Sequence, residues 1–313
     1  MPLCRTTLQS GNLLIKRRGE EMILMIDIGG TNIKYGVIDS ETENYELLGE
    51  LATETEKENF RMEKRLEKIV DLVMKDYSLE GIAISTAGIV DEEKGKIVFA
   101  NENIPNYKGT DLKGILEDQY KLPVTVENDV NSALLGEIHF GNYSDVHSAL
   151  MITIGTGVGG ALYLNNQIHH GFSHSGGEIG YSLINGKNIE RLASTRALVD
   201  RVANELADDK VDGRWIFEQA IYEKNPLAIK EIDVLVDELA QLINNNVALL
   251  NPEYVILGGG IMEQVDYLKD RIINKFEELN KNKLVVEQTK IEFASLGNKA
   301  GMLGAYIHFK NNQ

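Results

Sequence analysis

The strongest constraint on this chain is a phrase that it writes twice. Residues 25–39 read MIDIGGTNIKYGVID and residues 151–165 read MITIGTGVGGALYLN. Each is an apolar strand, a Gly-rich turn and a second, alternating strand. Glycines leave the amide N–H groups of such a turn uncovered, and a concave row of bare amides is suited to an anion such as phosphate. The first copy carries Asp27 where the second carries Thr153. The two turns therefore cannot do identical work, and metal on one side with phosphate on the other is the natural division. The duplication predicts two similar domains whose turns face one cleft.

Bulk properties narrow the partners. A length of 313 residues exceeds a typical single core. With 32 basic against 48 acidic side chains the net charge is −16, which argues against nucleic acid or an anionic membrane as a partner. The single Cys4 removes an internal disulfide framework and any multi-cysteine zinc site. No apolar run is long enough to span a bilayer, so the expected location is cytoplasmic. Residues 1–21, with the basic run Lys16-Arg17-Arg18 and no small-residue cleavage pattern, read as a disordered or artefactual extension, and the globular pattern starts at Met22.

Periodicity then predicts alternating strands and helices, an α/β fold. Leu66, Ile69, Val70 and Val73 form one helical face within a helix around 57–77. Residues 81–85 read as a buried strand, 96–108 as an irregular segment, and 124–126 as a short strand. That strand delivers Glu127-Asn128-Asp129 to a helix ending near Gly141. Residues 165–190 read as loop. Helices are expected near 194–208, 214–222 and 226–250, the last stopped by Asn251-Pro252. Strands at 254–257 and 291–294 and a helix over 298–309 complete the chain.

Three groups of residues could carry chemistry. Gly155-Thr156-Gly157-Val158-Gly159-Gly160 has the spacing of a dinucleotide fingerprint, which would mean a nicotinamide-dependent oxidoreductase. That fingerprint requires a helix next, and Ala161-Leu162-Tyr163-Leu164 is a strand pattern. Asn128 and Asp129 suit either a helix cap or a carboxylate that takes a proton from a hydroxyl. His169, His170 and His174 lack cysteines or an acidic pair at ligand spacing, and Glu178 lies in the same polar loop, so these read as solvated loop residues.

Together these motifs resemble the ROK family of bacterial sugar kinases and sugar-responsive repressors, in family order from Met22 to the C-terminus. Asp27 to Lys34 is similar to the first phosphate motif, Ser85 to Asp91 to the sugar-side turn, and Asn101 to Pro105 to the next sugar-contact segment. Glu127-Asn128-Asp129-Val130-Asn131 resembles the motif whose aspartate is the catalytic base. Ile154 to Gly160 resembles the second phosphate motif, and Leu257 to Gly260 the adenosine-side turn. The resemblance implies a two-domain actin-like (ribonuclease H-like) ATPase fold with a cleft between domains. Residues 22–125 with about 298–313 would form the smaller domain and 126–297 the larger. It implies ATP and Mg²⁺ as cofactors, a sugar substrate and a homodimer. Asp129 would be the general base and Asp27 would hold Mg²⁺ through water. Gly29, Gly30, Thr31, Asn32, Lys34, Gly155, Thr156, Gly157, Gly159, Gly258, Gly259 and Gly260 would bind nucleotide. Gly88, Asn103, Asn128, Asp129, Glu178 and Glu190 would bind sugar. A sugar-responsive regulator without its own DNA-binding module is the alternative within the family. One departure stands out. The family's usual His and three-Cys zinc segment is absent: Tyr181 replaces the histidine and residues 182–189 hold no cysteine, as in zinc-free β-glucoside kinases. No zinc is expected.

Overall fold

The computed structural model describes residues 21–56, 60–100, 104–143, 145–280 and 288–313. Its first half runs β1 (Glu21–Ile28), β2 (Asn32–Asp39), β3 (Tyr45–Ala52), α1 (Met62–Val73), β4 (Ser78–Thr86), β5 (Ile89–Asp91), β6 (Lys96–Phe99), α2 (Leu112–Tyr120), β7 (Val124–Asn128) and α3 (Asp129–Phe140). The second half runs β8 (Ser148–Ile154), β9 (Val158–Leu164), β10 (Gln167–Ile168), β11 (Leu183–Ile184), β12 (Lys187–Asn188), α4 (Glu190–Ala193), α5 (Thr195–Leu206), α6 (Gly213–Ile221), α7 (Pro226–Leu250), β13 (Tyr254–Gly258), α8 (Val265–Leu279), β14 (Lys290–Phe293) and α9 (Ala300–Asn311).

The duplication seen in sequence is a duplication of topology. One five-stranded sheet has the order β3-β2-β1-β4-β7 and the other β10-β9-β8-β13-β14. In both, the third strand leads, and the first, flanked by its hairpin partner, pairs in parallel with a later strand. Alternation along β1 assigns its two faces. Leu24 and Ile26 enter a core with α1 and α2, while Ile23 and Met25 meet α9. On β8, Leu150, Ile152 and Ile154 join the largest core, formed with α4 to α8, while Ala149 and Met151 meet Leu134 of α3. Helices α3 and α9 thus form the layer between the two sheets. Fully burying one of these Leu or Ile side chains is worth roughly 1.5–3 kcal/mol.

Where local signals are strong, the expected elements form. In α7, the Asn225 side chain caps the Leu227 and Ala228 amides, Pro226 opens the first turn, and Asn251 closes the helix in the left-handed region. The other differences are instructive. The helix expected around 57–77 is α1, Met62–Val73, with residues 57–59 outside the described residues. Segment 96–108 contains β6, whose Val98 and Phe99 are exposed, so that no buried alternation marks it. Segment 165–190 contains β10, a 3₁₀ turn at Ile179–Tyr181 and the β11–β12 hairpin, all too short to show a period. Residues 1–20, expected to form the extension, lie outside the described residues. Among the described residues no helix is long and apolar enough to cross a membrane.

Within the middle layer α3 and α9 cross with backbones in close contact, beside the buried side chains of Leu135, Met302, Leu303 and Tyr306. A β-carbon at Gly304 of α9 would overlap the Ser132 carbonyl of α3 and lie 2.8 Å from the Gly136 nitrogen. Reciprocally, one at Gly136 would lie 3.2 Å from the Gly304 nitrogen. Buried Glu137 fixes the approach to α9 by accepting the Ser295 amide at 2.9 Å, the Leu296 amide at 2.8 Å and the Ser295 hydroxyl at 2.9 Å. We expect Gly304→Ala to cost roughly 1–3 kcal/mol in chemical denaturation through overpacking. Gly260→Ala, at a site with no atom within 4 Å of the added carbon, serves as the small-effect control; equal costs at both positions would contradict the crossing as described.

Candidate active site at the strand ends

Strands β1, β4 and β7 run parallel, so their C-terminal ends lie side by side. Such ends are where open α/β sheets bind ligands. Asp27 is the penultimate residue of β1, β4 leads into the Ser85–Gly88 turn, and β7 delivers Asn128 to the start of α3. Asn128 caps α3: its Oδ1 accepts the Val130 amide at 2.9 Å and the Asn131 amide at 3.0 Å. Its Nδ2 donates to the Gly88 carbonyl at 2.9 Å and to Asp129 Oδ1 at 3.0 Å. The cap and the site are therefore one device. The amide of Asn128 has all four hydrogen-bonding positions engaged within the chain, where they orient Asp129 and the Ser85–Gly88 turn. That turn needs a glycine: Gly88 has φ +107°, and a β-carbon there would meet the Phe99 carbonyl at 2.6 Å.

Carboxylates accumulate around Asp129. Burial, then the charge of Asp27, then that of Glu178 push its pKa up to about 7, against the Val130 N–H that favours the anion. Asp27 is raised by burial, opposed by the Ser85 hydroxyl, which donates at 2.7 Å, and by Lys34, its cross-strand neighbour on β2. Glu178 is raised by burial and by Glu190. Glu190 in turn lies against Gly157 and accepts the Val158 amide at 3.4 Å, which places it at the mouth of the second Gly-rich turn. Asp27, Asp129, Glu178 and Glu190 thus form a chain of interacting acids.

Both glycine turns are tied back by their carbonyls. Thr53, fully buried and not anticipated from sequence, donates its amide to the Thr31 carbonyl at 2.8 Å and its hydroxyl to the Gly29 carbonyl at 2.8 Å. The Thr195 amide donates to the Gly155 carbonyl at 2.9 Å. Gly29 and Gly155 spend their own amides closing the turns onto Asn32 and Gly157. The amides of Gly30, Thr31, Thr156 and Gly157 meet no protein acceptor among the described residues, which is the arrangement an anion requires. A β-carbon on Gly159 would touch Val130 at 2.8 Å, so the second turn and Asp129 are neighbours, and Gly259 lies directly against the Ile154 backbone. Gly155–Gly160 opens into β9 rather than a helix, which removes the dinucleotide-fingerprint reading.

Asn103 lies outside the described residues. Close by, Tyr107 is fully buried, hydrogen-bonded to the Thr86 hydroxyl at 2.6 Å and near enough to Asp129 to feel its charge. His169 is exposed as expected, but His170 and His174 meet acids from distant segments, Glu127, Glu92 and Asp91. Among the described residues no group of three or more His, Cys, Asp or Glu is arranged to hold a metal ion.

With this geometry established, comparison with known proteins decides the lineage. Residues 23–312 match the ROK family. The chain belongs to the ROK family. A Klebsiella pneumoniae β-glucoside kinase is 29% identical over 92% of this chain and 95% of its own length. A ROK family protein from Streptococcus pneumoniae, solved in complex with sucrose, superposes with a TM-score of 0.81 at 29% identity, covering 93% of this chain and 98% of that one. A ROK family glucokinase from Streptomyces griseus, solved with glucose and AMPPNP, gives a TM-score of 0.74 at 27% identity over 91% and 97%. The fold is accordingly that of the actin-like ATPases.

Folding raises the Asp129 pKa from an ordinary 3.8 to about 7. Its protonated form is the one that folding favours, so stability is full at low pH and falls as pH rises through that window. Asp129→Asn should match the wild type in Tm near pH 4 and exceed it by roughly 2–5 °C at pH 8 in scanning calorimetry. A variant less stable than the wild type at pH 8 would contradict the crowding of acids.

Proposed function

We propose that this ROK protein is a kinase that transfers the γ-phosphoryl group of ATP to a hydroxyl of a hexose or β-glucoside, with Asp129 as general base. The observation that carries the reading is the position of Asp129. It stands at the start of α3, oriented by Asn128 and Val130, beside Val130's contact with the second glycine turn, with a pKa of about 7. A base poised near the operating pH can take a hydroxyl proton as the oxygen attacks, and much of the remaining catalysis is positioning and electrostatics.

The other roles follow from the same geometry. The amides of Gly30, Thr31, Thr156 and Gly157 would hold phosphate oxygens, and the Gly258–Gly260 turn would face the adenosine. Asp27 is a hard oxygen donor at a strand end and fits Mg²⁺, which takes one or two carboxylates and keeps several waters. Mg²⁺ would supply charge neutralisation between phosphates and acids; with Asp27, Asp129, Glu178 and Glu190 gathered here, bare ATP is repelled. Glu178 and Glu190 would accept hydrogen bonds from sugar hydroxyls, as would Asn128 on exchanging one of its internal bonds. Glucose in the Streptomyces griseus enzyme and sucrose in the Streptococcus pneumoniae protein support a mono- or disaccharide acceptor. The boundary expected at 125/126 falls inside β7, which pairs with β4 in the first sheet; we place it instead at the start of α3, keep the second near residue 298, and propose that closure about the α3–α9 layer expels water. ATP and Mg²⁺ of the cytoplasm would supply the reaction.

The decisive measurement is ADP release with Mg-ATP against free and β-linked sugars. Asp129→Asn should retain sugar and ATP binding and lose turnover by about 10²–10⁴-fold; unchanged turnover would remove Asp129 from the role. In the wild type, kcat/KM for sugar should fall below pH of about 7, as the free enzyme's base takes up its proton. Glu178→Gln should move that limb to lower pH, and an unmoved limb would dissociate Glu178 from Asp129.

A further inference from the structure

The residue immediately before the Asn128-Asp129 pair is Glu127, whose carboxylate is 1% exposed. Its Oε1 accepts the Asn128 amide at 2.7 Å and the Asn131 side chain at 3.0 Å, so it braces both flanks of Asp129. Its Oε2 meets His170 Nε2 at 2.6 Å and His308 Nδ1 at 3.4 Å. The other nitrogen of His170 faces Glu92 Oε1 at 3.3 Å. Glu92 Oε2 meets His174 Nδ1 at 2.7 Å, and His174 Nε2 lies 3.8 Å from Asp91 Oδ2. His170 and His174 both lie on the loop between β10 and the Ile179–Tyr181 turn. Glu127 belongs to β7, while Asp91 and Glu92 lie at the end of β5.

We propose that His170 is a positioning residue for the acceptor site, an imidazolium clasp that fastens the Glu178-bearing loop of the second sheet to the Asp129-bearing strand end of the first. The loop is stiff enough to transmit the hold. The Gly176 amide closes onto the His170 carbonyl at 2.7 Å, and Gly177 packs against the Gly160 backbone. Glu178 follows directly. With both ring nitrogens facing carboxylates, the doubly protonated ring satisfies both at once. Glu127, taken out of water, needs that charge, because a buried ion stripped of its partner is strongly destabilising.

The two histidines on Glu127 divide the work. Burial and the His170 charge hold His308 below its ordinary value of 6.5, so His170 rather than His308 carries the positive charge beside Glu127. For His170, burial opposes the charge but Glu127 and Glu92 outweigh it, raising its pKa above 6.5. Burial likewise opposes the Glu127 charge, and the two histidines with Asn131 overcome it. The titratable groups facing His170 are Glu127 of β7, His308 of α9 and Glu92; beyond them lie His174, Asp91, Lys94 and Lys113. A raised histidine holds its clasp fully below 6.5 and releases it as pH rises through its own midpoint.

This inference rests on the sugar-kinase reading for its kinetic test but not for its spectroscopic one. His170→Ala should raise the KM for sugar about tenfold or more, with the KM for ATP within twofold and kcat within threefold. The wild type should show a rise in sugar KM at alkaline pH; His170→Gln, which keeps a donor toward Glu127, should recover most of the loss at neutral pH and lack that rise. Independently of turnover, the His170 ring signal in NMR should titrate above 6.5 and shift down in Glu92→Gln, which removes the charge facing His170 Nδ1 while keeping the side chain's shape. Hydrogen exchange should show residues 170–178 loosened in His170→Ala with 155–160 unchanged. A sugar KM that stays at its wild-type value in an active His170→Ala enzyme overturns the clasp and leaves the kinase intact. If no sugar is turned over, the kinase reading fails, and a His170 ring titrating at or below 6.5 then overturns the clasp on its own.

Discussion

The whole arrangement depends on two helices touching backbone to backbone. Where α3 crosses α9, Gly136 and Gly304 leave no room for a β-carbon, and this contact sets the distance between the two sheets. α3 begins with Asp129, and α9 begins beside Asp27, whose Oδ1 would lie 2.9 Å from a β-carbon on Gly301. Spacing between the two acids that matter most is therefore fixed by the same helix pair that joins the halves. Packing and chemistry are set by one contact, and neither can be altered alone.

Electrostatically the site is costly. Four acids stand in a chain, with Lys34 as a nearby cation: Asp27 and Glu178 raise Asp129, and Glu190 raises Glu178. Such stored repulsion is characteristic of functional positions. A few residues away, Glu127 shows the opposite treatment: equally buried, it is surrounded by donors and stays ionised. Two positions apart at the same strand end, Glu127 is thus held below and Asp129 above the ordinary carboxylate range, the divergence that the proposed role of Asp129 draws on.

Much of this was legible in the sequence because it was local. The duplicated turns, the Asn225-Pro226 opening and Asn251 stop of α7, and the strand-then-helix context of Glu127-Asn128-Asp129 are signalled within a few residues. Of the competing cap and base readings of Asn128-Asp129, the structure shows the cap on Asn128 and leaves Asp129 buried among other acids; its service as a base belongs to the proposal. What could not be read was assembled from afar. His170 meets Glu127 across 43 positions and His174 meets Glu92 across 82, so no spacing rule joins them. Thr53 and Tyr107 act through buried hydroxyls that composition does not distinguish from ordinary core. β6, β10, β11 and β12 are too short for periodicity to register, and the sequence reading does not anticipate β3 or α2.

The shared strand order has a geometric corollary. Laying one sheet on the other carries Asp27 onto Thr153, since each is the penultimate residue of the leading strand of its half. A pair of near-identical cradles is thereby given a polarity, acidic at one end and neutral at the other. Under the proposed reaction, a guest with an anionic tail and a bound cation would fit that pair in one direction only, the replacement of a single carboxylate by a hydroxyl orienting what the duplicated backbone alone would accept either way round.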